Sequence, residues 1–291
     1  MKASYIVETL LSEGYVKDYK VDDLDITGPS VLNDLKPNTF IFCKQDKSES
    51  SKELFSNVLV LIEEEKYTDK FPNFILVHNC RLIFALLLDK LVKPKNSNII
   101  CSSSEIHHSV ILPKNCTIGS YVFIDEGCEI GENTVIESHS SIEKNVRIGS
   151  AVYLKAGVRI GVQGFGFERD KDHRPIRMYH SGGVVIGDNV EIGSNTIVCS
   201  GTILPTIIGD DTKIDDQVHL THNCKVGQRS MIAGCASIGG SVTIGDDVWI
   251  GPNTSIMNKI KIGDRANIVL GSRVMRDVSE DKVFMNSNKS L

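Results

Sequence analysis

The chain opens on MKASYIVETLL, which lacks the apolar core and small-residue cleavage site of a secretory leader. No apolar run is long enough to span a bilayer, since the most hydrophobic stretch, LIFALLLDKLV, carries Asp89 and is too short. A basic run is missing as well, and the formal net charge is −5, which argues against a nucleic-acid or anionic-membrane partner. The eight cysteines (Cys43, Cys80, Cys101, Cys116, Cys128, Cys199, Cys224 and Cys235) form no CxxC pair, so neither a disulfide framework nor a cysteine metal site is expected. What is left is a cytoplasmic chain without a transmembrane segment. Its 291 residues, 41% of them hydrophobic, give room for two domains and a sizeable core.

One pattern dominates the remainder. Ile106, Leu112, Ile118, Ile124, Ile130, Ile136, Ile142, Ile148, Leu154 and Ile160 stand six apart. The beat resumes at Ile186, Ile192 and Val198, and after a four-residue insertion around Pro205 it runs from Ile208 to Val274. Six matches neither the 3.6 of a helix nor the alternation of a hairpin sheet. It matches a parallel β-solenoid, in which each hexad is a short strand plus a turn and three hexads close one triangular coil. The aliphatic residue points inward, and a small residue two places earlier, such as Cys116, Val122, Cys128 or Thr134, shares the narrow interior. Gly, Asn and Asp supply the corners.

Residues 1–97 lack the hexad and read as a small α/β domain. SYIVETLLSEG and CRLIFALLLDKLV have helical spacing, while DLDITG, TFIFC, NVLVLIE and NFILVH read as strands. KPKNSN (93–98) reads as a linker, residues 98–275 as the solenoid and 276–291 as a short tail that caps it. The longest stretch off the beat, residues 161–185, carries GFGF and projects from the regular scaffold. Loops so placed tend to carry function.

Among eight histidines, His219 and His222 lie three apart in KIDDQVHLTHNCKVG. Leu220 is inward, which puts His222 at or near a corner, and Asp215 stands seven residues upstream. A carboxylate on one imidazole nitrogen would leave the other as a base. The alternatives are a turn-stabilising histidine and a metal ligand. No third ligand stands at recognisable spacing.

With these residues in view, the chain resembles the UDP-3-O-acylglucosamine N-acyltransferases of lipid A biosynthesis, within the hexapeptide-repeat acyltransferases. The resemblance is carried by GFGF (164–167), VVIGDNVEIGSNTIV, IIGDDTKIDDQVHLTHNCKVG and IAGCASIGGSVTIGDDVWIG, and it extends to TFIFCKQDKSES in the N-terminal domain. It implies a left-handed parallel β-helix, a homotrimer with sites between subunits, and acyl transfer to the amine of a nucleotide-linked amino sugar. The donor it implies is a phosphopantetheine thioester, on acyl carrier protein or coenzyme A, with no permanently bound cofactor and no metal. By position, His222 matches the family's catalytic histidine, Asp215 the carboxylate paired with it, and Gly240 the glycine whose N–H faces the thioester oxyanion. Phe42, Gly164, Phe165, Gly166, Phe167 and Asn223 match substrate-binding positions. Three features differ. The family's base-stacking tyrosine falls near Ser48, a late histidine falls near Asn258–Lys259, and the C-terminal helical extension is largely absent after Val278. An N-acyltransferase of another UDP- or dTDP-amino sugar, a γ-carbonic-anhydrase-type metalloenzyme and a non-catalytic scaffold are the competing readings.

Overall fold

The computed structural model describes residues 1–43, 55–92 and 98–286, and the chain divides into two compact units, 1–95 and 96–291. The expected linker, apart from Asn98, and the Ser48 position lie outside the described residues.

In the first unit, helix α1 (Ala3–Ser12) buries Ala3, Ile6, Val7 and Leu10, the spacing of one helical face. Strands β1 (Val16–Lys20), β2 (Gly28–Pro29), β3 (Thr39–Cys43), β4 (Val58–Ile62) and β5 (Phe74–Val77) form a sheet in the order β1-β5-β4-β3-β2. Only β1 runs antiparallel to its neighbour. All five residues of β4 are buried, as a strand covered on both faces requires. Helix α2 (Cys80–Leu91) starts at Asn79, whose side chain accepts the Leu82 N–H at 3.0 Å. VKDYK forms β1 although its outward residues are exposed, and DLDITG yields only the two-residue β2 at its end.

In the second unit the hexads wind into three parallel sheets of nine, nine and seven short strands. We call them the first face (Thr117–Ile118 onward), second face (Glu105–Ile106 onward) and third face (Glu129–Ile130 onward), and the chain visits them in that order. Strands such as Lys225–Val226 show one residue to solvent and bury the next. The buried residues form one continuous column from Cys116 to Val278. Small polar residues enter it where a hydroxyl meets a carbonyl of the next coil: Thr134 Oγ1 donates to Gly149 O at 2.9 Å, Thr212 Oγ1 to Gly227 O at 2.7 Å and Ser230 Oγ to Gly245 O at 2.8 Å.

At most corners the third residue past the inward aliphatic takes a positive φ, as at Asn133, Asn145, Asn189, Asn195 and Asn223. Asn tolerates this region better than most residues. The short tail from residue 276 pairs with the last coil. Val278 bridges to Ile262, and Val283–Phe284 joins the first face beside Asn267–Ile268. No helix among the described residues is long and apolar enough to cross a membrane.

Candidate active site

Every departure from the hexad falls at one corner. Strands Arg159–Val162, Ile197–Cys199, His219–Leu220, Ser237–Ile238 and Ser255–Ile256 are consecutive neighbours on the second face. The long excursion follows the first of them and the Pro205 insertion follows the second. Next in the same stack come His222, Gly240 and Asn258, each two residues past its inward aliphatic. The excursion carries a hairpin, Phe167–Arg169 against Pro175–Arg177.

His222 is half-buried at this corner. Its Nδ1 lies 2.9 Å from Asn223 Oδ1. That same oxygen accepts the backbone N–H of Thr202 at 3.3 Å and the Thr202 hydroxyl at 2.8 Å. A backbone N–H can only donate, so the shared atom is the amide oxygen and His222 Nδ1 must carry the proton. In the neutral ring Nε2 is then the lone-pair nitrogen, the form a general base requires. Thr202 belongs to the insertion, and Thr206 at its end accepts the Asn223 N–H at 3.0 Å. The insertion thus braces the residue that orients His222.

Nε2 faces Gly240: a Cβ built on that glycine would stand 2.6 Å from His222 Cε1 and 2.7 Å from Nε2. Only glycine leaves room for the ring. Gly164 and Gly166 are needed for a similar reason. A Cβ on Gly164 would lie 3.0 Å from His180 Nε2 and 3.2 Å from His222 Cδ2, and one on Gly166 would lie 2.8 Å from His180 Cε1. Phe165 is 90% exposed and meets Phe167 at 5.0 Å between centroids, and the Arg177 guanidinium lies 4.6 Å over the Phe167 ring. Phe165, Arg177 and Tyr179 line a groove of about 450 Å³ together with Gln163 and Gly164. Spacing gave no reason to single out His180, yet its ring lies 5.0 Å from that of His222, at 50°. Burial holds its imidazole below the usual histidine range, aided by the neighbouring His222 and Arg177.

Within one copy, Asp215 and Gly240 make contacts other than the expected ones. Asp215 follows the first face, so it stands at another corner from His222, and its Oδ2 accepts the Gly234 N–H at 3.0 Å. Seven residues is one whole face plus one, so within one copy the partner of His222 Nδ1 is Asn223. That spends the Asn223 carbonyl oxygen on orienting the imidazole. The Gly240 N–H, expected to face an oxyanion, donates to Asn258 Oδ1 at 3.0 Å. Phe42 belongs to the first unit, where it packs edge-on against Phe84 at 5.1 Å and stays 39% exposed. His219 does not join His222; its Nε2 lies 3.6 Å from Cys199 Sγ. Among the described residues, no group of three or more His, Cys, Asp or Glu side chains is placed to hold a metal ion.

The family "Bacterial transferase hexapeptide (six repeats)" matches residues 127–161, 205–240 and 241–274. A UDP-3-O-acylglucosamine N-acyltransferase of Campylobacter lari is 37% identical over 282 residues, 92% of this chain and 88% of its own. One from Dechloromonas aromatica is 47% identical over 75 residues, 26% of this chain and 21% of its own. Among solved structures, a UDP-N-acetylglucosamine acyltransferase from Campylobacter jejuni superposes with a TM-score of 0.58 at 25% identity, over 63% of this chain and 69% of that one. The corresponding acyltransferase of Francisella novicida gives 0.57 at 27% identity, over 62% and 63%.

Proposed function

The chain belongs to the UDP-3-O-acylglucosamine N-acyltransferase family and is an acyltransferase, and from that premise we propose that it acylates the amine of a nucleotide-linked amino sugar, with His222 as general base. The observation that carries this reading is how the ring is held: Nδ1 lies 2.9 Å from Asn223 Oδ1, so in the neutral imidazole the proton sits on Nδ1 and the lone pair on Nε2, beside the glycine at 240. The bound amine attacks the thioester carbonyl carbon while His222 Nε2 takes its proton. The tetrahedral intermediate then collapses, the C–S bond breaks, and the same proton passes to the departing thiolate. Amide and free thiol are the products, and no acyl-enzyme is required because the two substrates meet directly. The donor we propose is a phosphopantetheine thioester, carried by acyl carrier protein or coenzyme A.

The oxyanion needs a fixed donor, worth about 3 kcal/mol in a dry site. In this proposal Gly240 N–H fills that role once the exposed Asn258 side chain turns away from it. Asp215 contributes in a homotrimer, where a carboxylate near His222 comes from the corner of a neighbouring copy. Phe42 is assigned to the nucleotide base, and Phe165 and Phe167 to the walls of the acceptor groove.

The test is a panel of hydroxyacyl carrier protein and acetyl-coenzyme A against UDP- and dTDP-amino sugars, read by thiol release. We expect transfer with at least one pair and a loss of at least ~100-fold in His222→Ala, the scale of general-base removal. Near-full turnover in that variant, with its fold intact, would remove His222 from the mechanism.

A further inference from the structure

Along the regular coils, Arg147, Arg229 and Arg265 are paired with carboxylates, at 3.3, 2.7 and 2.6 Å from Glu129, Asp247 and Asp281. Arg177, on the hairpin of the excursion, is different. Among the described residues its guanidinium has no ion pair and no hydrogen bond, and it lies 4.6 Å over the Phe167 ring. An aromatic face orients a guanidinium without neutralising it. The acids of the hairpin are turned elsewhere. Glu168 pairs across the strands with Ile176, so alternation puts it on the face opposite Phe167 and Arg177. Asp170 Oδ1 accepts the Asp172 and Arg174 N–H groups, both at 2.9 Å.

Arg177 borders the groove of about 450 Å³ with Phe165, Tyr179, Gln163 and Gly164. Phe165 and Tyr179 are 90% and 74% exposed, and the Tyr179 hydroxyl has no hydrogen-bond partner among the described residues. The Gln163 amide is already spent: Nε2 donates to His180 O and Oε1 accepts the His180 N–H, both at 2.8 Å. The donors left open are therefore the guanidinium and the phenol. A guanidinium fork and a hydroxyl between aromatic faces suit a phosphate joined to a ring-shaped body. Gly164 connects the groove to the site, since a Cβ on it would lie 3.2 Å from His222 Cδ2.

Both substrates of the proposed reaction carry phosphate, the acceptor in its nucleotide and the donor in its phosphopantetheine arm. We propose that Arg177, assisted by the Tyr179 hydroxyl, holds a substrate phosphate in this groove. This rests on the acyltransferase reading given above. The order of the stack favours the acceptor as its source. The excursion leaves the second face two strands before His219–Leu220, whereas Gly240, assigned to the thioester, follows one strand after it. Gly164 and the groove it borders thus approach His222 from the side away from the thioester.

The test uses the full-length protein, a UDP-linked amino sugar and a hydroxyacyl carrier protein. Arg177→Gln should raise the acceptor KM roughly 10- to 100-fold, the scale of a hydrogen bond to a charged group, with Tm unchanged. Arg177→Lys keeps the charge without the fork and should return the KM to within about tenfold of wild type. Tyr179→Phe should cost about 2- to 10-fold. UDP as a competitive inhibitor should weaken in Arg177→Gln by the same factor as the acceptor, while uridine binds wild type and variant alike. That pairing separates a phosphate contact from a packing effect. A second arm compares S-acyl phosphopantetheine with S-acyl pantetheine as donors. A loss in Arg177→Gln confined to the phosphorylated donor would keep the phosphate site and assign it to the donor. Unchanged KM values for the acceptor and both donors overturn the proposal, and so does equal weakening of UDP and uridine. If the wild-type protein transfers to no amino sugar, the functional reading falls, and calorimetry of UDP on wild type and Arg177→Gln still decides the phosphate site: equal affinities sink it.

Discussion

Two corners of the same prism are built on one plan and put to different use. At the corner past the third face, four of the backbone N–H groups two residues beyond an inward aliphatic are received by an aspartate of a neighbouring coil. Ser150 N donates to Asp188 Oδ1 at 2.7 Å, Asp188 N to Asp210 Oδ1 at 2.8 Å, Gln228 N to Asp246 Oδ1 at 2.9 Å and Asp246 N to Asp264 Oδ1 at 2.9 Å. The corner past the second face keeps one such rung, Gly240 N to Asn258 Oδ1. One coil earlier the sequence places His222 where the other corner would have an acceptor, and Gly240 makes space for its ring. The first corner closes its polar groups on itself. The second leaves the His222 nitrogen beside Gly240 without a protein hydrogen-bond partner, and a group left open in this way is what a substrate can use.

The contrast breaks most visibly under a single methyl group. Gly240→Ala forces a Cβ onto the His222 ring, so turnover should fall about 10²- to 10³-fold with Tm nearly unchanged. Gly245→Ala at the regular corner places its Cβ 2.1 Å from Asp264 Oδ1, the acceptor of the Asp246 N–H. That variant should lose about 1–3 kcal/mol of stability, the cost of an orphaned buried hydrogen bond, while turnover per folded molecule holds. Thermal melts and single-turnover kinetics on the two proteins check both expectations. Equal behaviour of the pair would mean that the two corners differ in sequence only.

Asn258 sharpens the comparison at smaller scale. If Gly240 N–H serves the oxyanion, Asn258→Ala removes a competitor for that donor and turnover should stay within about threefold of wild type. A fall of about 100-fold in kcat, with KM steady, would instead identify the Asn258 amide as the donor.

The hexad made the solenoid legible from the chain alone, because burying one aliphatic residue per face is a rigid requirement and Ile or Val meets it nearly every time. The corner identity of His222 followed from counting two residues past Leu220. The same count places Asp215 past a different face, a consequence of six residues making a whole side of the triangle. The tail was harder to read: Val278 follows Val274 by four residues, so its membership of the third face depends on a tightened corner that no period announces. Strand β1 escaped because VKDYK has no buried alternation. His180 was hidden by the excursion, whose return path depends on the hairpin. The one local clue was the pair Gly164 and Gly166, spaced so that two Cα atoms press on one ring. The bracing of Asn223 needed Thr202, twenty-one residues away and brought near only by stacking.

The thiols that flank the site corner give the last and smallest effect, and its sign can be worked out. Cys199 ends the second-face strand before the insertion and Cys224 begins the third face after His222; burial pushes both thiols from 9.0 up to about 11. Between pH 9 and 11 the unfolded chain therefore gives up protons that the folded chain keeps. Unfolding free energy must fall as pH rises through that window, by up to about 1.4 kcal/mol for each unit of difference in each thiol. Cys101, near the start of the solenoid, has the opposite sign: hydrogen bonds from Ser103 and then Ser120 favour its thiolate and bring it down to about 7. Iodoacetamide at pH 7.5 should thus label Cys101 in the folded protein and leave Cys199 and Cys224 untouched until denaturant is added, with mass spectrometry reading each site. Cys199→Ala should flatten part of the alkaline decline in Tm. Labelling of Cys199 as fast as Cys101 would show that the corner behind the imidazole opens to solvent, and a general base backed by water would lose the dry surroundings on which the oxyanion contribution depends.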